Sequence, residues 1–358
     1  MPTLFEPLRL GALQAPNRIL MAPLTRARGT RAHVPTPVMV DYYTQRASAG
    51  LILTEAIGIT QQGLGWPYAT GLWNAEQVAG WRKVTDSVHA AGGRIAAQLW
   101  HMGRIVHPSF NAGAQPVSAS ETTAPGRAHT YDGKQPYVQA RALRLEEIPG
   151  LLEDYRRAAR NALEAGFDGV ELHAANGYLI DQFLRDGSNR REDTYGGPVE
   201  NRIRLLGEVV RVLVDTVGAE RTGVRLSPNG EIQGVNDSDP ETLFTAAARM
   251  LSSLGIAYLE LREPPPEGTF GKPDRPPLAP AIRRAFQGVL ILNSDYDLER
   301  AQKELDAGVA DAIAFGRPFI SNPDLPQRLA QKLPLAKDNM ATWYSQGPEG
   351  YTDYPRAS

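Results

Sequence analysis

The amino-acid sequence predicts a single (β/α)8 barrel of the TIM type. Short apolar runs rich in valine, isoleucine and leucine recur along the chain, each run is followed by a helical pattern, and eight such units are present. Strands that are apolar throughout and alternate with helices are typical of parallel sheets covered by helices. Eight units favour a closed barrel, and a doubly wound open sheet is the alternative that the pattern leaves open.

The strands and helices follow from the hydrophobic periodicity. The predicted strands occupy residues 18–22, 51–54, 94–99, 169–173, 223–227, 256–261, 288–293 and 310–315. The clearest amphipathic helices occupy residues 75–91, 146–165, 201–217 and 296–307. The second and fourth of these helices are followed by Gly166 and Gly308, and glycine commonly ends helices.

Two segments interrupt the alternation of strands and helices. Residues 4–16 contain turn residues before the first strand, which predicts a small hairpin that caps the bottom of the barrel. Residues 103–140, after the third strand, are rich in Gly, Pro, Ser and Ala and lack periodicity. This composition is typical of an excursion over one barrel face. We therefore expect one domain over residues 1–358, with a C-terminal tail at 334–358.

The composition excludes several classes of protein. A net charge of −2 predicts no general affinity for nucleic acid or for an anionic membrane. The sequence has no signal-peptide pattern and no apolar stretch of membrane-spanning length, so we expect a cytoplasmic location. The absence of cysteine excludes disulfides, thiolate nucleophiles and cysteine-bound iron–sulfur clusters. The six histidines form no zinc-binding pair, so redox chemistry would need an organic cofactor.

Polar residues at the predicted strand ends are the candidates for an active site. In this kind of barrel the site lies where the carboxyl ends of the strands meet the following loops. The strand-end residues expected to converge there are Thr25, Glu55, Gln98, His101, His173, Asn176, Arg225, Asn293 and Arg317.

The last two strands predict a phosphate site. They end in Asn293-Ser294 and in Gly316-Arg317, and loops at these positions commonly bind phosphate through backbone N–H groups. Arg317 adds a cation that binds phosphate in bidentate fashion. The alternative is that Gly316 and Arg317 only turn the chain and pair with a surface acid.

Three further residues suit a planar, partly anionic ligand. Arg225 closes the fifth strand and needs an anion or a group of carbonyls, because burying it unpaired is costly. Gln98 both donates and accepts, which matches a pyrimidine-like edge, and Thr25 has a hydroxyl for a carbonyl. Taken singly, a core glutamine and a capping threonine are the alternative interpretations.

The segment after the fourth strand has the highest density of candidate groups. His173 and Asn176 form a pair of neutral donors that would bind and polarise one carbonyl or nitro oxygen. One donor aimed at a developing enolate is worth ~3 kcal/mol. Tyr178, with an ordinary pKa of about 10, suits the delivery of a proton. A core histidine beside an aromatic residue is the alternative.

These residues occur in blocks that resemble the Old Yellow Enzyme family of FMN-dependent ene-reductases. The resemblance runs from Leu4-Phe5-Glu6-Pro7 almost to the C-terminus. Its blocks are MAPLTR at 21–26, QLWHMGR at 98–104, HAANGYLIDQF at 173–183, REDTYGGPVENR at 191–202, RLSP at 225–228 and FGRPFISNPDL at 315–325. Threonine at position 25, where other members have cysteine, resembles the branch that includes pentaerythritol tetranitrate reductase and morphinone reductase. The segment 292–296 (LNSDY) resembles that of bacterial 2-cyclohexenone reductases.

The resemblance implies roles for the site residues. FMN would be bound without a covalent bond, with Thr25 on O4, Gln98 on the pyrimidine edge and Arg225 at N1 and O2. The implied cofactor-binding residues are Pro23, Leu24, Thr25, Ala56, Gln98, Arg225, Asn293, Ser294, Gly316 and Arg317. The implied substrate pocket contains Trp66, Trp100 and Tyr351.

The resemblance also implies the reaction. NADPH or NADH would reduce FMN, and hydride from flavin N5 would then add to the β carbon of an enone, enal, maleimide or nitroalkene. His173 and Asn176 would hold the activating oxygen, and Tyr178 would protonate the α carbon, giving net trans hydrogenation. The expected state of the protein is a monomer or a homodimer.

Two departures from the family and two rival functions remain. Asp295 would place a carboxylate near the phosphate unless it points away, and Trp66 stands where tyrosine is frequent. An aldolase or lyase on the same barrel would need a Schiff-base lysine, and no lysine lies at a predicted strand end. A non-catalytic barrel for a phosphorylated ligand would explain Arg317 but not the group from His173 to Tyr178.

Overall fold

Eight parallel strands close into a barrel in a computed structural model that describes residues 2–269 and 271–357. In these residues the strands are β1 (Leu8–Leu10), β2 (Leu13–Ala15), β3 (Ile19–Met21), β4 (Ile52–Gly58), β5 (Ile95–Trp100), β6 (Val117–Ser118), β7 (Arg127–Thr130), β8 (Gly133–Pro136), β9 (Arg141–Ala142), β10 (Gly169–His173), β11 (Thr222–Leu226), β12 (Tyr258–Arg262), β13 (Val289–Asn293) and β14 (Ala312–Phe315).

Helices follow the barrel strands on the outside. Over the same residues the α-helices are α1 (Pro37–Gln45), α2 (Ala75–Ala90), α3 (Ile148–Glu164), α4 (Leu179–Leu184), α5 (Val199–Arg202), α6 (Arg204–Val217), α7 (Pro240–Ser253), α8 (Ala279–Ala285), α9 (Leu298–Asp306), α10 (Arg317–Ser321) and α11 (Leu325–Ala330). Their apolar faces pack on the outer side of the strands; in α3, for example, Leu151, Tyr155 and Ala158 are buried.

Closure of the sheet confirms the predicted fold. The barrel order is β3, β4, β5, β10, β11, β12, β13 and β14, and β14 pairs in parallel with β3 through Ile313 and Ile19. The open doubly wound alternative is therefore excluded. Every predicted strand is present, and each shifts by a few residues at most.

Two predicted helices begin or run differently from the prediction. The helix predicted from residue 296 begins at Leu298, because the Asp297 carboxylate accepts a hydrogen bond from the backbone N–H of Arg300 and caps the first turn. The helix predicted over 201–217 is observed as α5 and α6, which meet at Ile203.

The hairpin β1–β2 caps the amino-terminal end of the barrel, as predicted. Leu10 and Ala15 are buried against residues at the amino-terminal ends of the barrel strands, among them Leu51 and Ala257. Gly11 turns the hairpin with φ of +57°, and a Cβ there would lie 2.1 Å from the Glu220 carbonyl oxygen. Because the hairpin closes the amino-terminal end of the barrel, a ligand site would lie at the carboxyl-terminal end of the strands.

The excursion and the C-terminal segment both lie near the opposite end. The excursion contains the antiparallel hairpin β7–β8, whose His129 ring lies 4.8 Å from the Trp66 ring. Buried Arg26 and Arg28 donate hydrogen bonds to the carbonyl oxygen of Trp343 in the C-terminal segment. Within the described residues no helix combines the length and the apolar character needed to cross a membrane.

Candidate active site

A cavity of about 290 Å³ opens at the carboxyl ends of the barrel strands. This is the end at which the turns after parallel strands converge. The predicted residues that line it are Pro23, Leu24, Thr25, Ala56, Trp66, Gln98, Trp100, His173, Asn176, Tyr178, Arg225, Asn293, Ser294, Gly316 and Arg317.

Gln98 and Arg225 form the polar floor of this cavity. Gln98, on β5, is almost fully buried and donates from Nε2 to Glu171 Oε1 at 2.8 Å. Arg225, on β11, donates from Nη2 to Asn293 Oδ1 at 2.6 Å, and its Nε lies 3.1 Å from a Glu260 carboxylate oxygen. The floor therefore combines a cation with an amide that has further hydrogen-bonding capacity.

One wall of the cavity carries His173, Asn176 and Tyr178. The Tyr178 ring lies edge-on to the His173 ring at 4.9 Å and edge-on to the Trp100 ring at the same distance. His173 Nδ1 and Asn176 Oδ1 are buried without a hydrogen-bond partner. Unpaired buried polar atoms are rare in native proteins, so this wall is suited to a polar ligand.

The electrostatics of the wall decide its protonation states. Burial, and then the charge of Arg225, hold the pKa of His173 well below 6.5, so the imidazole is neutral at pH 7 and carries one N–H. Burial raises the pKa of Tyr178 well above 10, so the phenol keeps its proton. The wall thus presents neutral groups that donate hydrogen bonds.

A buried network holds the loop that carries Asn176. Asn176 has φ of +58° and Gly177 has φ of +75°, so two consecutive residues adopt the left-handed conformation. Asp181 accepts a hydrogen bond from the Gly177 N–H at 2.9 Å, and Gln182 donates to the Gly177 carbonyl at 2.7 Å. Asp181 also forms a buried ion pair with Arg185 at 2.8 Å. Sequence reasoning did not identify this network.

The far end of the cavity is the predicted phosphate site. The Asn293 side chain faces the barrel interior, where it accepts from Arg225 and donates to the Ala314 carbonyl at 2.7 Å. Arg317 begins α10 and forms an ion pair with Asp338 at 3.0 Å. The loop around Asn293 and the turn at Gly316 therefore offer backbone groups, and Arg317 offers a partly exposed cation.

Asp295 has a partner outside the predicted phosphate loop. Its carboxylate accepts hydrogen bonds from the backbone N–H of Thr269 at 2.9 Å and from the Thr269 hydroxyl at 3.3 Å. Thr269 in turn accepts a hydrogen bond from Arg317 at 2.8 Å. The Asp295 carboxylate is thus linked to Arg317 through Thr269, and both Asp295 and Arg317 line the cavity.

Tyr351 is a correction to the predicted pocket. It is fully buried, its ring stacks on Tyr42 at 4.0 Å between centroids, and it is not among the residues that line the cavity. The reason is the binding of the C-terminal segment by Arg26 and Arg28. That arrangement places Trp343 and Tyr344 at the cavity instead.

Two other strand-end candidates also lie away from the cavity. Glu55 is fully buried next to Tyr43, and the Tyr43 hydroxyl donates a hydrogen bond to Glu55 Oε1 at 3.2 Å. The pairing of β4 with β5 shifts register between Leu53 and Ala56, and this irregularity turns the Glu55 side chain outward. His101 is buried, and its Nδ1 accepts from the Gly103 N–H at 3.1 Å.

Some lining residues were missed by the sequence analysis. Arg262 is the last residue of β12, so its position at a strand end could have identified it as a second cation. Gln233 donates from Nε2 to the Asn176 carbonyl at 2.9 Å. It lies in the loop after β11, and no local sequence pattern marks it or Tyr344.

The floor and the far end of the cavity fit FMN. A guanidinium and an amide at the floor match a pyrimidine edge that gains negative charge on reduction, and the turn at Gly316 with Arg317 matches a phosphate. Arg225 Nε, like His173 Nδ1, is buried without an aligned hydrogen-bond partner. The fold and site thus define a flavin-binding barrel oxidoreductase.

Comparison with known proteins gives the same class of protein and also identifies the family within it. Residues 3–336 match the model of the NADH:flavin oxidoreductase / NADH oxidase family. The old yellow enzyme homologue from Zymomonas mobilis is 63% identical with a TM-score of 0.98, covering 99% of both chains. Morphinone reductase in complex with tetrahydroNAD is 46% identical with a TM-score of 0.94, covering 100% of this chain and 98% of that chain.

A curated relative extends the same result. A probable flavin mononucleotide-dependent alkene reductase from Leishmania infantum is 42% identical over 98% of this chain and 97% of its own. The chain belongs to the Old Yellow Enzyme family of FMN-dependent ene-reductases. It is an enzyme with FMN as cofactor and NAD(P)H as reductant, which confirms those predictions.

Proposed function

We propose that the chain reduces the C=C bond of α,β-unsaturated aldehydes, ketones, imides and nitroalkenes. The observation that carries this proposal is the wall formed by His173, Asn176 and Tyr178, which combines unpaired buried polar atoms with a protonated phenol. Among the described residues that line the cavity there is no lysine, so a Schiff-base aldolase or lyase has no support.

His173 and Asn176 bind the activating oxygen of the substrate. The neutral imidazole and the side-chain amide each donate one hydrogen bond to that oxygen, and these bonds strengthen as negative charge develops on it. The donors therefore lower the energy of the enolate-like transition state more than that of the bound substrate. FMN, when bound and reduced by NAD(P)H, supplies the hydride that adds to the β carbon.

Tyr178 delivers the proton to the α carbon. Its raised pKa keeps the hydroxyl protonated, and its contacts with Trp100 and His173 fix the ring beside the oxygen-binding pair. Addition of the hydride and the proton from opposite faces gives net trans hydrogenation. Trp66 and Tyr344, whose rings lie 5.1 Å apart, limit the size of the substrate at the mouth.

The substitution Tyr178→Phe tests the role of the proton donor. We expect reoxidation of the reduced enzyme by 2-cyclohexenone to slow by roughly 10²- to 10⁴-fold, the usual contribution of a general acid. Reduction of the enzyme by NADPH should stay unchanged. Stopped-flow spectroscopy measures the two half-reactions separately. Tyr344→Phe, a second tyrosine of the cavity, is the matched control; equal losses in both half-reactions of Y178F would contradict the proposal.

Binding of a phenol tests the oxygen-binding pair. Phenolates that bind next to flavin give a long-wavelength charge-transfer band, and we expect the band in the wild-type enzyme. Replacing both His173 and Asn176 by Ala should abolish it, since the anion loses both donors. A band retained at unchanged affinity would show that other groups bind the oxygen.

A further inference from the structure

Two fully buried carboxyl groups lie directly beneath the cavity floor. Glu171 on β10 and Glu260 on β12 have no exposed surface, and neither lines the cavity. The buried Tyr258 occupies the same layer. Its ring fills the space left by Gly223, where a Cβ would lie 2.1 Å from the ring. The barrel interior thus contains a closed polar layer below the site.

Each carboxyl group contacts one residue of the floor. Gln98 Nε2 donates to Glu171 Oε1 at 2.8 Å, so that amide nitrogen is held from below. The Arg225 Nε lies 3.1 Å from Glu260 Oε1, within ion-pair distance but without the alignment of a hydrogen bond. Glu171 and Glu260 therefore support the two floor residues that suit the pyrimidine edge of FMN.

The polar atoms of this layer outnumber the hydrogens available to them. Glu171 Oε2, both oxygens of Glu260 and the Tyr258 hydroxyl are buried without a hydrogen-bond partner. The Tyr258 hydroxyl supplies one hydrogen for these three carboxyl oxygens, and a carboxylate oxygen only accepts, so two ionised carboxylates in this layer would leave oxygens unsatisfied. A single proton between them converts one oxygen to a donor and satisfies another as its acceptor.

The charges around the two carboxyl groups also indicate that one of them carries a proton. Within the described residues, Arg225 is the cation in ion-pair contact with the pair, through Glu260, and it compensates one carboxylate. His173, on the same strand as Glu171, is neutral because burial and Arg225 hold its pKa well below 6.5. Tyr258 is neutral because burial raises its pKa well above 10. A second ionised carboxylate would remain uncompensated in the barrel interior, which is strongly unfavourable.

Glu171 is the member that holds the proton. Burial raises the pKa of Glu171 well above 4.5, and the charge of Glu260 raises it further. For Glu260, burial raises the pKa, while the positive charge of Arg225 lowers it. The pKa of Glu171 is therefore raised more than that of Glu260, because Arg225 is in ion-pair contact with Glu260.

We propose that Glu171 and Glu260 form a carboxylic acid–carboxylate pair with one proton on Glu171, which positions Gln98 and Arg225 under the pyrimidine edge of FMN. This inference rests on the proposed placement of FMN on those two residues. Glu171 orients the Gln98 amide, and Glu260 compensates part of the Arg225 charge. The pair acts through the floor residues and is not itself in contact with the substrate.

Infrared spectroscopy detects the proton directly. The C=O stretching band of a protonated carboxylic acid is measured with ¹³C-glutamate labelling, which separates it from flavin carbonyl bands. The measurement uses a Glu55→Gln background, because Glu55 is a further buried acid, and it compares spectra with and without Glu171→Gln so that any contribution of the buried Glu263 cancels. We expect a labelled acid band at neutral pH that loses intensity on adding Glu171→Gln. A band that is absent, or that is unchanged in E171Q, would overturn the proposal.

The reduction potential of bound FMN tests the positioning role. Glu171→Gln keeps the neutral charge of the protonated acid, so we expect an unchanged potential and unchanged FMN affinity. Adding Glu260→Gln to E171Q leaves Arg225 uncompensated, so the potential of the double variant should shift to more positive values. A positive shift in E171Q alone would mean that Glu171 is ionised and would overturn the proposal.

The two measurements separate this inference from the proposed function. Infrared spectra are recorded with and without FMN, and they report the proton whether or not the enzyme turns over an enone. If the acid band follows Glu171 but the enzyme reduces no alkene, the pair stands and the proposed function fails. If the double variant does not fold, the infrared band and the potential of E171Q still decide the inference.

Discussion

Replacing Glu55 by Gln should remove a pH-dependent loss of stability. Glu55 is fully buried, and burial raises its pKa from 4.5 to about 7, although a hydrogen bond from Tyr43 and the charges of Arg26 and Arg28 oppose this. The folded protein therefore binds the proton more tightly than the unfolded chain does. The stabilisation is fully present below pH 4.5 and is lost as the pH rises to about 7.

The magnitude follows from the difference between the two pKa values. A difference of about 2.5 pKa units corresponds to about 3 kcal/mol. Burial lowers the pKa of His101 from 6.5 to about 4, so the contribution of His101 is lost as the pH falls and opposes that of Glu55. In the wild type these two contributions offset each other, and only the comparison with E55Q isolates the glutamate.

Equilibrium urea unfolding between pH 4.5 and about pH 8 measures this effect. We expect the free energy of unfolding of the wild type relative to E55Q to fall by about 3 kcal/mol over this range. Glu121→Gln, at an exposed position, is the matched control and should show no such change. A wild-type minus E55Q difference that is constant with pH would refute the reasoning.

Three further substitutions test other parts of the structure. Asp181→Asn removes one partner of the buried ion pair with Arg185 and should cost about 3–5 kcal/mol; thermal unfolding measures this, and an unchanged Tm would contradict it. Gly223→Ala should destabilise the barrel by ~1–3 kcal/mol because of the clash with Tyr258, and G223A should cost far less in a Tyr258→Leu background. Tyr351→Phe should change stability by less than ~0.5 kcal/mol, since the hydroxyl has no partner, and enone turnover should not change.

The sequence determined the barrel because periodicity is a local property. The strands are mostly apolar on both faces and the helices are apolar on one, so the number and order of elements follow from the chain itself. The resemblance blocks and the strand-end positions placed His173, Asn176, Tyr178, Gln98 and Arg225 together, and the structure places all of them at one cavity.

Only the tertiary structure decided which aromatic residue of the C-terminal segment reaches the cavity. That choice depends on hydrogen bonds from Arg26 and Arg28 to backbone carbonyls more than 300 residues away in the chain, which no local pattern reveals. The same holds for the Glu171–Glu260 pair. Each glutamate lies within an apolar strand, and only barrel closure brings the two into one buried layer where they must share their charge.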